Sequence, residues 1–210
     1  MKQGFVTFAD IMGWKGIWLK NQGSEKQILQ DLLDIKEILD LQIESIKNTD
    51  GLEGLEVSIK LISDTFVVFS NYEADLEKEF EIHSVLVKEL TLMALEKKLM
   101  IRGATSFGKY LTNDMSFVGP AIDEAASWHE QAESVSIFLS PTALLKVNCL
   151  NTSYWQDRSL ELKKMRLNTK VLDWKEYYKS DFQEIFYDNS PIVPEISKKY
   201  LNTLEYLNAK

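Results

Sequence analysis

The stretch 55-LEVSIKLISDTFVVFS-70 contains two β-rich runs separated by two polar residues. In the first run, apolar side chains alternate with Ser58 and Lys60, which is the period of a strand with one buried face. The second run, TFVVFS, begins after Ser63 and Asp64 alone. So short a connection predicts a tight β-hairpin with Asp64 at or near its tip.

The segments on either side of this hairpin alternate between strand and helix periodicity. They are a strand over Gln3–Ala9, an amphipathic helix from about residue 25 to 43, a helix from about Glu73 to Leu99, a strand over Ile101–Tyr110, a loop over Asn113–Val118 and a helix over Gly119–Glu133. The order β-α-β-β-α-β followed by a further helix is that of the split βαβ arrangement. The sequence therefore predicts an α/β (α+β) fold of the ferredoxin-like type.

Two carboxylates stand at the ends of predicted strands. Asp10 ends the first strand, just before a turn through Gly13 and Gly16, and Asp64 lies in the hairpin. The first strand and the hairpin are neighbours in a ferredoxin-like sheet, so we expect the two carboxylates to approach each other. Two carboxylates together with substrate phosphates are a common way to hold Mg²⁺. The alternative is that each Asp is an ordinary turn or capping residue.

Length and composition predict one domain. The chain has 210 residues, 45% of them hydrophobic, which suffices for one ordinary core. We expect a single domain over 1–210, with a core over 4–150 and a C-terminal extension over 151–210. Because no apolar run approaches a membrane span and no signal sequence is evident, we expect a cytoplasmic protein without membrane contact.

The net charge and the metal-binding residue types limit which ligands and partners we expect. A net charge of -8 disfavours non-specific binding to nucleic acid. The only cysteine is Cys149 and the only histidines are His83 and His129, which disfavours a soft-metal site. The many carboxylates leave hard cations such as Mg²⁺ open.

Four segments resemble the successive signatures of class III nucleotide cyclases. FADIMGWKGI, KLISDTFVVFS, RGATSFGKY and FVGPAIDEAASW follow F-x-D-I-x-G-F, K-x-x-G-D, R-x-G-x-x-x-G and G-x-x-V-N-x-A-x-R in the family's order, over about residues 4–135. The resemblance implies a homodimer with active sites at its interface, in which two metal ions, Mg²⁺ or Mn²⁺, serve cyclisation of a nucleoside triphosphate. Asp10 and Asp64 match the metal-binding aspartates, and the Ile11 carbonyl falls where the family helps to hold the second metal.

The resemblance also assigns substrate contacts. The turn Met12–Gly16, with Gly13 and Trp14, would present backbone N–H groups to the phosphates. Lys60 and Ser116 fall at the two base-reading positions and would come from the partner chain. The alternative is that Lys60 is simply the solvent-facing residue of an alternating strand.

Among the positions that depart from the general family pattern, three bear on the proposed chemistry. Ser63 replaces a Gly, Asp123 replaces an Asn that positions the ribose, and Ser127 replaces an Arg that stabilises the transition state. Another cation would have to supply the missing charge. A candidate is the densest basic run of the chain, whose members are Arg158, Lys163, Lys164, Arg166 and Lys170. We predict that this run forms a strand or hairpin that reaches the triphosphate, with Lys163 and Arg166 as substrate contacts. An ordinary solvated basic face is the alternative.

The form GPAIDEAASW is similar to that of the stand-alone pyrimidine cyclases of bacterial Pycsar antiphage defence. That resemblance implies synthesis of cyclic UMP or cyclic CMP, with UTP favoured over CTP, as a messenger for a separate effector protein. Glu124 and Trp128 belong to the same form, although helix-dipole and packing roles account for them equally well. Two alternatives are a purine (adenylate) cyclase and a catalytically inactive domain that binds nucleotide or dimerises. A palm-type polymerase shares the sheet and both aspartates but is disfavoured by the acidic charge.

Overall fold

The fold is seen in a computed structural model that describes residues 1–14, 23–113, 116–178, 181–188 and 192–208. Its strands are β1 (Lys2–Ile11), β2 (Glu56–Ile62), β3 (Thr65–Asn71), β4 (Ile101–Thr112), β5 (Phe117–Val118), β6 (Ile137–Leu139), β7 (Trp155–Glu161) and β8 (Arg166–Leu172). Its helices are α1 (Glu25–Lys47), α2 (Leu76–Glu96), α3 (Pro120–Trp128), α4 (Pro141–Lys146), α5 (Phe182–Asp188) and α6 (Pro194–Asn208).

The predicted ferredoxin-like arrangement is confirmed. The strands lie in the order β2-β3-β1-β4-β6-β8-β7, and the first four are antiparallel to their neighbours. The hairpin turns through Ser63 and Asp64, as the alternating pattern predicts. On the far side, β6 joins β4 in parallel and β8 pairs with β6 and β7, so the basic hairpin of the C-terminal segment extends the same sheet.

One face of the sheet packs against α1 and α2. Alternate residues of β1 point to this side, where they meet the apolar stripe of α1 and the buried face of α2. The residues of α1 that lie in this core are Ile28, Leu32, Ile35, Leu39 and Ile43. Their spacing is the helical one, because positions three and four apart share a face. The other alternate residues of β1, including Asp10, therefore point to the opposite face.

The opposite face is covered by α3 and by the turn before it. Phe8 and Phe69 pack against Phe117, with ring centroids 5.8 and 5.5 Å apart. Gly119 opens the helix at a φ of 139°, and an added Cβ there would lie 2.7 Å from the Lys109 carbonyl oxygen. Only glycine fits this close approach, and Pro120 then begins the helix where no N–H is needed.

Three of the predicted boundaries are wrong. The segment predicted as a loop over Asn113–Val118 ends in β5, which pairs with the last residues of β4. The helix predicted over Gly119–Glu133 ends at Trp128, because residues 131–133 instead bond to the turn between β7 and β8. The helix predicted over Glu73–Leu99 is α2, which is shorter at both ends. Tertiary pairing overrides local propensity at the first two sites.

The C-terminal segment packs around Trp174, which is fully buried. Phe182 of α5 and Tyr206 of α6 lie against its ring, with centroids 5.3 and 5.1 Å away. The aromatic residues that the sequence concentrates here thus form a second apolar cluster. None of the described helices combines the length and the apolar character that a membrane crossing requires.

A buried polar network joins β1, β3 and α2. Glu79 of α2 accepts hydrogen bonds from Phe5 N, Ser70 Oγ and Tyr72 N at 3.1 Å each. His83 lies between Thr7 Oγ1 and Ser70 Oγ, at 2.7 and 3.0 Å. Burial raises the pKa of Glu79 to about 7, against the opposing effect of its three donors.

This raised pKa predicts a pH-dependent stability. Between the ordinary pKa of 4.5 and about 7, the folded chain keeps a proton on Glu79 that the unfolded chain releases. The free energy of unfolding should therefore fall as pH rises through this window, by about 3 kcal/mol from this residue. Urea unfolding from pH 4.5 to 8 should show this fall in the wild type and a flatter profile in Glu79→Gln.

Glu81→Gln is the matched control, since Glu81 lies exposed on the same helix. It should keep the wild-type profile. An unchanged pH slope in Glu79→Gln would contradict the assignment to Glu79.

Candidate active site

Asp10 lies at the end of β1 on the α3 face of the sheet. Its side chain is buried, and it pairs in register with Thr65 of β3 on one side and Arg102 of β4 on the other. Burial raises the pKa of the Asp10 carboxyl to about 6; the guanidinium of Arg102 opposes this shift and the Asp64 carboxylate adds to it. The two predicted metal-binding carboxylates thus lie close enough to repel each other.

Arg102 is the direct partner of Asp10. Its Nε and Nη2 donate to Asp10 Oδ2 at 3.2 and 3.1 Å, and its Nη1 donates to the Glu130 carbonyl oxygen at 2.9 Å. Both members of the ion pair are buried. Removing one member of a buried pair leaves the other charged and unpaired, which is strongly destabilising. Arg102 therefore holds the negative charge of the site in place.

Asp64 occupies the hairpin turn beside Asp10. Its backbone oxygen accepts a hydrogen bond from Ile11 N at 3.2 Å, which fixes the turn against the end of β1. The Asp64 side chain is half-buried, and no other residue of the described ranges donates to its carboxylate or forms an ion pair with it. A carboxylate left without a partner next to a second carboxylate is suited to a cation.

His129 and Glu130 complete a group of ligand atoms around Asp10. One ligand atom from each of the three side chains lies within 4.8 Å of the others. His129 Nδ1 lies 2.6 Å from the Ala126 carbonyl oxygen, which can only accept, so in the neutral ring Nε2 presents a lone pair. Glu130 Oε2 is 3.9 Å from Arg102 Nη2. The donor set of the site is thus mainly oxygen with one imidazole nitrogen, and divalent cations accept both.

Lys60 and Ser116 are brought together by Asn113. The Lys60 ammonium donates to the Asn113 carbonyl oxygen, while Asn113 Oδ1 accepts from Ser116 N and Oγ at 2.7 and 3.1 Å. Lys60 lies on the same sheet face as Asp10, in register with Phe8 across one intervening strand. Two strand spacings, about 10 Å, separate Lys60 from β1.

The basic hairpin divides its residues between two places. Lys163, in the turn between β7 and β8, forms an ion pair with Glu130 Oε2 at 3.3 Å and therefore lies beside the Asp10 group. Arg166 instead pairs with Glu161 and lines a separate cavity of about 310 Å³ with Tyr206 of α6. The structure therefore places Lys163, but not Arg166, beside the carboxylates of Asp10 and Glu130.

The turn after β1 is described only as far as Trp14. Gly13 is exposed with a φ of 82°, a conformation that favours glycine, and Trp14 packs against the core between the sheet and α1. The remainder of the predicted phosphate-binding turn, residues 15–16, lies outside the described residues.

Solved structures share this architecture. The catalytic core of a rhodopsin-guanylyl cyclase with converted specificity, in complex with ATPαS, aligns with a TM-score of 0.54 and 15% identity over 81% of this chain and 95% of its own. An adenylate/guanylate cyclase/hydrolase from Silicibacter pomeroyi aligns with a TM-score of 0.51 and 15% identity over 81% and 94%. The chain has the fold of a class III nucleotide cyclase domain. Neither a family model nor a curated protein matches the sequence.

The cyclase fold clarifies the altered helix GPAIDEAASW, which is α3. Glu124 Oε1 accepts from Ser140 Oγ and Thr142 N at 2.7 and 3.1 Å and so caps α4. Trp128 packs edge-on against Phe138, with ring centroids 6.2 Å apart. Trp128 therefore packs as predicted, whereas Glu124 caps the next helix and does not act as a first-turn carboxylate of its own helix.

Asp123 and Ser127 lie exposed on the same helix of the cyclase fold. Ser127 Oγ donates to the Asp123 carbonyl oxygen at 2.6 Å, and within the described ranges no hydrogen bond or ion pair joins either side chain to Asp10. Ser63, at the position where the resemblance expects a Gly, has a φ of 57°. The turn therefore keeps the left-handed conformation that glycine favours.

The sequence reasoning missed three members of this site. Arg102 appears in the sequence only as one letter of R-x-G, and nothing local indicates its partner 92 residues away. His129 and Glu130 fell inside a predicted helix that in fact ends at Trp128. The basic character of Arg102 within an apolar strand was the one available signal, because a charge inside a buried strand requires a partner.

Proposed function

We propose that the chain is a nucleotide cyclase, which converts a nucleoside triphosphate into a 3′,5′-cyclic monophosphate and pyrophosphate. The observation that carries this proposal is the pair Asp10 and Asp64 at adjoining strand ends, with Arg102 bound to Asp10, on the sheet of a cyclase domain. Because one fold serves many functions, the argument rests on these side chains.

In the proposed reaction the ribose 3′-oxygen forms a bond to the α-phosphorus, the bond to the β-phosphate oxygen breaks, and the 3′-hydroxyl proton is released. Arg102 would keep the Asp10 carboxylate ionised and in place, and Lys163, which lies beside the Asp10 group, would face the phosphate oxygens, where an ammonium stabilises negative charge. Asp123 would contact the ribose. Gly13 and Trp14 would contribute backbone N–H groups.

The residues fit the two divalent cations, Mg²⁺ or Mn²⁺, that this chemistry uses. Asp10, Asp64 and the Ile11 carbonyl would hold them, and His129 and Glu130 are close enough to add a ligand. The Asp64 carboxylate, which has no partner among the described residues, supports this assignment. When bound, the cations lower the pKa of the attacking hydroxyl and neutralise charge on the phosphates.

The preferred substrate in this proposal is a pyrimidine nucleotide, with UTP favoured and CTP next. Lys60 and Ser116, joined through Asn113, would bind the base, and both the ammonium and the hydroxyl donate to a base carbonyl. The support for a pyrimidine is the similarity of α3 to the pyrimidine cyclases of antiphage defence. We extend the proposal to that role: a cytoplasmic homodimer, with base residues from the partner chain, whose product activates a separate effector protein.

A purine cyclase is the second candidate. Two structures of the same fold are described in complex with ATPαS and with GTP; the latter, the guanylate cyclase domain of RhGC from Catenaria anguillulae, aligns with a TM-score of 0.50 at 14% identity over 81% of this chain and 96% of its own. Lys60 would also donate to a ring nitrogen of adenine. Product identity separates the two candidates.

The test is incubation of the purified chain with ATP, GTP, CTP or UTP and Mn²⁺ or Mg²⁺, followed by mass identification of the products. The expected result is metal-dependent formation of cyclic UMP or cyclic CMP. The preference over purine triphosphates should be about 10-fold or greater, which is the size of effect that a mispaired buried polar group produces. Cyclic AMP or GMP would move the assignment to a purine cyclase. Absence of any cyclic product from a folded dimer that binds nucleotide would favour the inactive domain.

A further inference from the structure

A lysine of the last helix faces the candidate active site. In α6, Asn202 Nδ2 donates to the Glu133 carbonyl oxygen at 2.8 Å, and Thr203 Oγ1 accepts from Val135 N at 2.9 Å. Lys199 lies three and four residues before these two, which is the same helical face one turn earlier. The segment that this part of α6 contacts continues from Glu133 back to Glu130, which belongs to the candidate site.

The Lys199 ammonium is half-buried and lacks a close counter-charge. Its neighbour Lys198 pairs with Glu161 at 3.0 Å, whereas no carboxylate of the described ranges lies within ion-pair distance of Lys199. Burial and then the Arg102 guanidinium lower the pKa of Lys199, with a smaller contribution from Lys163, whereas the carboxylates of Glu133 and Asp10 oppose this shift. Arg102 is bound to Asp10 and Lys163 to Glu130, whereas Lys199 forms no ion pair within the described ranges, so its ammonium remains available to an incoming anion.

The resemblance to cyclases places a cation at position 127 of α3, and this chain has Ser127 there. Ser127 stands at that position and is exposed, with its hydroxyl bound to its own helix. We propose that Lys199, together with Lys163, binds the phosphate groups of the triphosphate and supplies the charge that Ser127 does not. This inference rests on the proposed function only for the identity of the substrate. The anion contact itself is inferred from the packing of α6 on residues 133–135 and from the lack of an ion pair at Lys199 within the described ranges.

The test measures binding of inorganic tripolyphosphate in the presence of Mg²⁺ by calorimetry. Lys199→Met keeps the length of the side chain and removes its charge, so it should weaken binding about 10-fold or more. Lys199→Arg should restore binding to within a few-fold of the wild type. Lys198→Met, one residue away on a different face, should leave binding unchanged.

Thermal melts of the three variants establish that each is folded, and kcat and KM for the best triphosphate provide a second readout. Equal binding by Lys199→Met and Lys198→Met would overturn the proposal, as would failure of the wild type to bind tripolyphosphate. If the wild type makes a cyclic product but its binding of tripolyphosphate does not depend on Lys199, the proposed cyclase activity is supported and the role of Lys199 is refuted. If binding depends on Lys199 but no cyclic product forms, the phosphate contact of Lys199 is supported and the proposed cyclase activity is refuted.

Discussion

Asp64→Asn is expected to reduce product formation by at least about 10³-fold while leaving the fold as stable as the wild type. The Asp64 carboxylate is half-buried and, within the described ranges, has no donor that the amide would lose. Its charge also raises the pKa of Asp10, so its removal relieves a repulsion. Initial rates with the preferred triphosphate and urea unfolding of the same preparation check both halves of the prediction.

Asp50→Asn provides the control for Asp64→Asn, since Asp50 lies exposed in the loop between α1 and β2. That variant should retain both activity and stability. Retained activity in Asp64→Asn would remove Asp64 from the metal site. A loss of several kcal/mol in the free energy of unfolding would mean that Asp64 has a structural role instead.

Asp10→Asn is expected to abolish activity and also to destabilise the fold, by about 3 kcal/mol. The difference from Asp64 lies in Arg102, whose Nε and Nη2 both donate to one Asp10 oxygen in a buried setting. A neutral amide can still accept a hydrogen bond from Arg102, but it removes the charge that neutralises the buried guanidinium and leaves it with the more distant Glu130 carboxylate at 3.9 Å. Urea unfolding near pH 7.5, where Asp10 is ionised, measures the loss.

A double-mutant cycle isolates this ion pair. Arg102→Met alone leaves Asp10 buried and unpaired, so it should also destabilise the fold, whereas the double variant Asp10→Asn, Arg102→Met should be less destabilised than the sum of the two. Purely additive free energies would show that the pair contributes nothing beyond its two separate residues.

Local patterns sufficed for the part of the fold that surrounds the hairpin. Alternation in β2, the apolar stripe of α1 and the short connection at Asp64 each depend on neighbouring residues, and together they determine the order of β1 to β4. The end of α3 was not predictable in this way. Residues 131–133 have helical propensity, yet they pair with residues about 30 positions later in the chain.

The carboxylates of the candidate site could be predicted from the sequence, but its positively charged residues could not. Asp10 and Asp64 stand at strand ends, where the topology alone brings them together. Arg102 becomes the partner of Asp10 only through the register of β1 on β4. Lys199 reaches the site only because α6 bonds to the segment before β6, a contact that spans more than 60 residues.

Position 127 on α3 is open to solvent, and this bears on how such a chain changes over generations. A long basic side chain introduced there would meet no buried surface, because Ser127 contributes only a hydrogen bond within its own helix turn. An arginine could therefore be lost or regained at this site with little effect on folding. Its absence is accordingly a poor marker of a defunct enzyme, whereas drift at the buried pair Asp10 and Arg102 would be a reliable one.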